Sequence, residues 1–326
     1  MSRIAQAPHR RPWRHRWLTA LSLSVLVSVA LYLVVLISAD AGKVLASARR
    51  LPLSGWAAIL SLSLLNYALR FLRWHFYLRA LGHRLPRLRD AAIYCSGFAL
   101  TTTPGKAGEA IRSLYLHALG VPYPHSLAAL FAERMMDLLS MLALAGLGAV
   151  ALGFSRAWVL LGLAACIGVV LLVRNPRMLD FVAGLQLKQA RLAHWRNHFV
   201  HLLKASSALL RPRLLLAAVA LGALSWGAEG VGLHVITEAL GLHTSQQLAL
   251  GIYALAMLGG AASLVPGGLG GAEAVMGALL VASGAALPDA VAATLICRAA
   301  TLWFAILLGM IAMGILQAEK SWATTP

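Results

Sequence analysis

Two short stretches put charge and broken backbone inside apolar runs. They are Thr103-Pro-Gly-Lys-Ala-Gly-Glu109 and Leu264-Val-Pro-Gly-Gly-Leu-Gly-Gly-Ala-Glu273. Other ionisable residues lie at similar depth: Arg70 and Arg73, then Glu133, Arg134 and Asp137, then Glu229 and Arg298. Such residues cost roughly 2.5–3.5 kcal/mol each on membrane-insertion scales, so each is a functional hypothesis. A guanidinium holds a phosphate bidentately. A half-helix that begins at a Pro/Gly break offers unpaired N–H groups and the positive end of its dipole, and glycine lets a ligand come close to that backbone. The chemistry these residue types point to is anion binding.

The candidate phosphate or headgroup contacts are Arg134, Arg298, Arg70, Arg73, Lys106 and Arg112. Each has a structural alternative. Arg134 has Glu133 beside it and Asp137 three residues on, so it can form an internal ion pair. Arg298 has no local acid and would need Glu273 or Glu229. Arg70 and Arg73 lie near the end of their helix and can snorkel to the interface. Glu109 and Glu273 fall in the first turn of their half-helices, where they can cap the helix, exchange a proton or bind a headgroup; the roles are not exclusive. Glu133, Asp137 and Glu229 join them as proton-coupling or polar groups, and Glu229, among glycines, must face a cavity or a basic partner. The breaks act as hinges at Pro104, Gly105 and Gly108, and at Pro266, Gly267, Gly268, Gly270 and Gly271.

Other chemistries find no support. Cys95, Cys166 and Cys297 all lie in apolar runs and read as packing residues, without a disulfide framework or a zinc site. No metal-ligand set, nucleophile elbow or P-loop occurs, and no cofactor is expected. Gly268-Leu-Gly270-Gly271 lacks the preceding strand and final glycine of a dinucleotide loop. The histidines sit mostly in basic loops and read as solvated or interfacial.

The elements that must position these groups are membrane helices. The chain has 326 residues, 60% hydrophobic and 12% charged. That composition is an all-α polytopic membrane protein. Its net charge of +17 comes from short basic stretches between apolar runs, which fits the positive-inside rule and anionic headgroups rather than nucleic acid. Residues 1–16 form a basic cytoplasmic N-terminus. About six full spans follow: Trp17–Ser38, Leu53 to about Leu81, His125–Leu152, Ala157–Val173, Leu214–Leu240 and Ala290–Leu316. Lys43, Arg49 and Arg50 belong to a loop. Ala91–Thr103 is too short to span roughly 30 Å of hydrocarbon. With Glu109–Gly120 it makes a re-entrant hairpin around the first break. Gln247–Val265, interrupted by Gly251, Gly259 and Gly260, and Ala274–Gly284 make a second. Arg174–Arg213 reads as amphipathic helix on the cytoplasmic leaflet or as a solvated connector. Residues 317–326 are a short tail.

An internal repeat orders these pieces. Glu109 and Glu273 are 164 residues apart, and the same offset pairs Gly120 with Gly284, Pro124 with Pro288 and Arg134 with Arg298. Repeat one covers about 53–152 and repeat two about 214–316. The span 157–173 and the basic segment 174–213 connect them within one transmembrane domain, 17–316. Counted from a cytoplasmic N-terminus, the hairpins open from opposite sides. That is an inverted repeat, a recurrent transporter plan with its site near the midplane.

Taken in order, Arg70-x-x-Arg73-Trp74, Thr103-Pro-Gly-Lys-Ala-Gly-Glu109, Glu133-Arg134-x-x-Asp137, Pro266-Gly-Gly-Leu-Gly-x-x-Glu273 and Arg298-x-x-Thr301-x-Trp303 resemble the transmembrane, flippase-like region of the lysylphosphatidylglycerol synthase family. The resemblance runs from about Leu53 to Leu316. It implies an integral protein of the bacterial inner membrane that moves a lipid between leaflets. The chain ends at Pro326 without the aminoacyl-transferase domain of fused members, so the synthase activity is not carried over and no enzyme is expected. Lys106 stands where arginine is also common, and Ala272 replaces a frequent basic residue. The expected function is translocation of an anionic phospholipid, aminoacylated lipid, or glycolipid or polyprenyl-linked lipid. The alternative is a membrane scaffold or accessory subunit of a lipid- or envelope-modifying enzyme, docked through Arg174–Arg213. Partners on these readings are anionic membrane lipids and a lipid-modifying enzyme, and no nucleic acid.

Overall fold

The structure is a computed structural model that describes residues 40–102, 109–151, 155, 157–185, 189–263 and 265–322. The span Trp17–Ser38, the first-break residues Pro104, Gly105, Lys106 and Gly108, and Lys188 lie outside the described residues. Every regular element among the described residues is helical.

The helix stops reveal how the chain is punctuated. Helix α1 (Ala41–Ala48) leads into the long α2 (Leu53–Ala80). α2 stops at Gly82, whose φ of 90° only glycine takes easily, and His83 N–H then bonds back to the Leu78 carbonyl (2.9 Å). The same stop recurs three times: Gly120 with Val121 N–H to Leu116, Gly241 with Leu242 N–H to Thr237, and Gly284 with Ala285 N–H to Leu280. Proline at the first turn starts α9 (Pro212–Ala239) and α12 (Leu287–Arg298). Each half therefore reads long helix, glycine stop, two short helices, glycine stop, long helix. In the first half these are α2, α3 (Arg87–Ser96, extended by a 3₁₀ turn over Gly97–Leu100), α4 (Ile111–His117) and α5 (Tyr123–Ala151). In the second they are α9, α10 (Gln246–Ala262), α11 (Gly271–Ala282), and α12 with α13 (Phe304–Trp322). Between the halves lie α6 (Ala157–Arg174), α7 (Pro176–Gly184) and α8 (Ala190–Leu209).

Packing exchanges arms between the halves. α5 packs on α10, α13 packs reciprocally on α3, and α2 packs on its counterpart α9. Small residues allow the close approaches: a Cβ on Gly148 would fall 2.4 Å from the Gly251 backbone, and one on Gly309 would fall 2.2 Å from Ala99 N. Among the described residues, four helices are long and apolar enough to cross a membrane: Leu53–Ala80, Ala157–Arg174, Pro212–Ala239 and Leu287–Ala318. α5, with 29 residues, is equally long but carries Glu133, Arg134 and Asp137.

α2 shows why an apolar chain keeps polar side chains. Ser63, Asn66, Tyr67, Arg70, Arg73, Trp74 and Tyr77 recur at helical spacing and are all buried, while Leu64, Leu65 and Leu72 face outward. The helix is polar inside and apolar outside, the pattern of a span around a polar interior. The second half presents Gly222, Ser225, Glu229 and Gly232 of α9 to it at the same spacing.

Several sequence expectations need correction. Lys43 lies in α1, which Asp40 caps and which packs on α12; Ser47 Oγ donates to Asp289 (2.5 Å). Gly251, Gly259 and Gly260 do not interrupt α10, because their missing side chains admit Gly148, Val275 and Ala272. The last span bends through a π-helical turn at Ala299–Trp303, directly after Arg298. The described part of Arg174–Arg213 is largely helical rather than a free connector. Its described residues include α7 and α8, and α8 packs on α5, with Ala205 and Leu209 joining Met136 and Leu139 in one core.

Candidate functional site

α5 carries the anchor of the site. Glu133, Asp137 and Ser140 recur at i, i+4 and i+7, so one stripe faces inward. Glu133 is fully buried. Its Oε1 accepts from Arg70 Nη2 (3.2 Å) and Tyr94 OH (2.7 Å), with Arg134 Nη2 at 3.0 Å; its Oε2 accepts from Arg112 Nη1 (3.0 Å). Asp137 Oδ1 accepts from Arg73 Nη2 and from Trp226 Nε1 (3.0 Å), and Arg134 Nη2 lies 3.1 Å from Oδ2. Glu109 lies 3.4 Å from Arg134 and 3.8 Å from Arg112. Aromatic faces cover the cations: the Arg112 guanidinium sits 4.0 Å over Tyr94 and that of Arg70 4.9 Å over Trp226.

The second half answers with Arg298. Its Nε donates to Glu273 Oε1 (2.6 Å) and its Nη2 to the Gly267 carbonyl (3.0 Å). Glu273 Oε2 in turn accepts from the Gly270 N–H (2.8 Å), so this carboxylate both closes the start of α11 and holds Arg298 at the break. The break is built by three glycines of positive φ, Gly267 (66°), Gly268 (67°) and Gly270 (82°). An Arg–Glu pair therefore forms in each half, Arg134 with Glu109 and Arg298 with Glu273, from residues that share the 164-residue offset.

Both ends meet on one cavity of about 390 Å³. Arg70, Arg134 and Arg298 reach its wall, with Glu109, Asp137 and Glu229. Arg73 and Arg112 stand behind that wall, committed to ion pairs and only 1% exposed. Arg70 is buried as well, so neither it nor Arg73 snorkels outward. Among the described residues, the buried Arg70 Nε and Arg134 Nε have no hydrogen-bond acceptor. Of the second hinge, Gly267 and Gly268 line the cavity. On the outer side its wall includes Leu138 and Val265, 37% and 41% exposed.

Some functional positions escaped the sequence reading. Gly97 leaves room for Arg112, since a Cβ there would fall 2.3 Å from Nε. His75 is buried rather than solvated, with Nδ1 2.6 Å from Asp90 Oδ2, while Trp74 Nε1 donates to Asp90 Oδ1 (3.3 Å). That contact ties α3 to α2. A buried carboxylate 15 residues from a histidine has no periodic signal.

Fold and site define a multi-pass helical membrane protein with a charged cavity between two similar halves. The chain belongs to the lysylphosphatidylglycerol synthase TM region family, whose sequence model matches residues 21–309. It is also similar to glycosyltransferase AglD of Haloferax volcanii, 34% identical over 111 residues. That match covers 33% of this chain and 16% of AglD.

Proposed function

We propose that the chain moves an anionic lipid between the leaflets of the membrane, with the headgroup passing through the cavity between the halves. The observation that carries this reading is the cavity itself. Three guanidiniums and the second break converge on it, and exposed apolar residues edge its outer side. A headgroup there would meet charged donors while its acyl chains stay against Leu138 and Val265 in hydrocarbon. Arg134 and Arg298 give the phosphate charge-assisted hydrogen bonds. Family membership supports a lipid-related role. The halves then act as inverted repeats, their broken helices as re-entrant hairpins, and rocking of one half against the other exposes the cavity to each side in turn. In this reading the chain does no covalent chemistry and sits in the bacterial inner membrane, N-terminus cytoplasmic.

Native mass spectrometry of the purified protein tests the binding step. Phosphatidylglycerol should be retained over phosphatidylcholine, and Arg134→Ala with Arg298→Ala should abolish the preference. Equal retention of both lipids by the wild type would contradict it.

A second reading, an accessory role beside a lipid-modifying enzyme, draws on exposed Phe181, Trp195 and Phe199 of α7 and α8, and on the similarity to a protein named as a glycosyltransferase. Deleting 174–213 would then abolish function while Arg298→Ala leaves it intact.

A further inference from the structure

Glu229 differs from the acids of the two Arg–Glu clusters and from buried Asp90, which has His75 Nδ1 at 2.6 Å. Glu109, Glu133, Asp137 and Glu273 each have a guanidinium within 4 Å. Glu229 is 3% exposed and accepts from Ser63 Oγ (3.1 Å), and among the described residues no basic nitrogen lies within 4 Å of it. With one hydroxyl donor and no close cation, the ionised form of this buried carboxylate is held mainly by the net positive charge around it, so a change in that charge shifts it toward the neutral acid. It also lies on the cavity wall, where a ligand can change its surroundings.

Its neighbours come from every element around it. α2 brings Ser63, Tyr67 and Arg70; α10 brings Tyr253; α12 brings Cys297 and Arg298. Across the cavity stand Arg134 and Asp137 of α5, with Glu109. Among the described residues, the interior charges of the two Arg–Glu clusters are Arg70, Arg73, Arg112, Arg134 and Arg298 against Glu109, Glu133, Asp137 and Glu273. That set carries one excess positive charge. An ionised Glu229 cancels it, and so does a monoanionic phosphate in the cavity. The two anions compete for the same field in a medium of low dielectric.

We propose that Glu229 takes up a proton when an anionic headgroup enters the cavity and gives it back when the headgroup leaves, so that one proton crosses with each lipid. The uptake half of this needs only that the cavity binds an anion. The crossing half rests on the lipid-moving reading above. The proton goes to a carboxylate oxygen of Glu229, and Ser63 keeps its hydrogen bond to the other.

Two measurements on the full chain separate these halves. In the first, the protein in phosphatidylcholine bilayers is followed by infrared difference spectroscopy as phosphatidylglycerol is added. A protonated-carboxyl band should grow in the wild type and be absent in Glu229→Gln, which keeps an acceptor for Ser63. No new band in the wild type, or the same band in Glu229→Gln, overturns the proposal. In the second, vesicles containing NBD-labelled phosphatidylglycerol are given a gradient of one pH unit. One proton per lipid drives up to about a tenfold leaflet asymmetry in the wild type, read by dithionite quenching. Glu229→Gln should exchange the probe without asymmetry or not at all. Rapid wild-type exchange without asymmetry, or asymmetry retained in Glu229→Gln, overturns the coupling and leaves lipid movement standing. A carboxyl band without any wild-type lipid exchange supports proton uptake and removes the transport reading instead.

Discussion

In the first half of the molecule four guanidiniums converge on three carboxylates, all held within about two helical turns of α5. In the second half, at the same 164-residue offset, Cys297, Thr301 and Met276 occupy the positions of Glu133, Asp137 and Arg112. The long first helices, which align at their glycine stops Gly82 and Gly241, differ in sign, with Glu229 in the register of Arg70. What the halves keep in common is the glycine stops, a pair of short helices and one Arg–Glu pair. Shared backbone punctuation with unequal charge teaches where each job lies. The common parts build the broken helices, and the first half's extra charges make a rigid wall of fixed positive donors. The sparser second half leaves Glu229, among the described residues, with no basic nitrogen within 4 Å.

The comparison breaks most visibly if the first half is given the second half's residues. Arg112→Met or Glu133→Cys alone strands a buried charge and should cost about 3–5 kcal/mol, seen as a large drop in unfolding temperature in detergent. The double variant removes both partners and should cost clearly less than the sum. Strict additivity would show that the pair is not a unit. Next in size are the two cavity arginines. Arg134→Ala and Arg298→Ala each remove a charge-assisted contact of about 1.5–3 kcal/mol, so phosphatidylglycerol binding should weaken roughly 10- to 100-fold in either half. An effect confined to Arg134 would mean that the second half contributes no ligand contact.

Glu273→Gln should be milder. The amide oxygen still closes the turn at Gly270, so stability should fall by no more than about 1 kcal/mol, while the ionic hold on Arg298 is lost and lipid binding changes. Unchanged binding would assign Glu273 to the cap alone. The smallest effect concerns His83, whose Nε2 lies 2.8 Å from His125 Nδ1 at the first-half turn. The second half has Leu242 and Asp289 in these registers. Burial, and then the neighbouring His125, push the His83 imidazole below its usual range. The folded state thus binds the proton more weakly than the unfolded chain, and stability contributed above roughly pH 6.5 is lost as pH falls below it. Unfolding temperature should be lower at about pH 5.5 than at about pH 7.5, and His83→Leu should narrow the gap. An identical pH response in both proteins would remove this contact from the account.

Much of this plan was readable in the chain. The offset that aligns Glu109 with Glu273 also aligns the two glycine stops and the two arginines, because those residue types are rare in hydrocarbon and answer to backbone geometry. The Arg298–Glu273 pair was one of two options, and Glu273 capping its own half-helix was another; both hold together. What hid from sequence depends on partners distant in the chain. The inward stripe of α2 is spread over seven positions in a run whose average is apolar, so Arg70 and Arg73 read as residues near a helix end. Their acids are about 60 residues away on α5. α1 is eight residues long and packs through small side chains, which leaves little signal. The π-helical turn after Arg298 has neither proline nor glycine to announce it. Glycines in α10 looked like breaks because a glycine that admits a neighbouring helix and one that ends a helix are the same letter.

The central claim is that the cavity between the halves carries an anionic headgroup across the membrane. Vesicles reconstituted with the full chain and NBD-labelled phosphatidylglycerol test it directly, through the rate at which inner-leaflet probe becomes open to dithionite. Wild-type protein should raise that rate well above protein-free vesicles, and the Arg134→Ala, Arg298→Ala double variant should return it to the protein-free level. Equal rates for wild type and double variant would contradict the account.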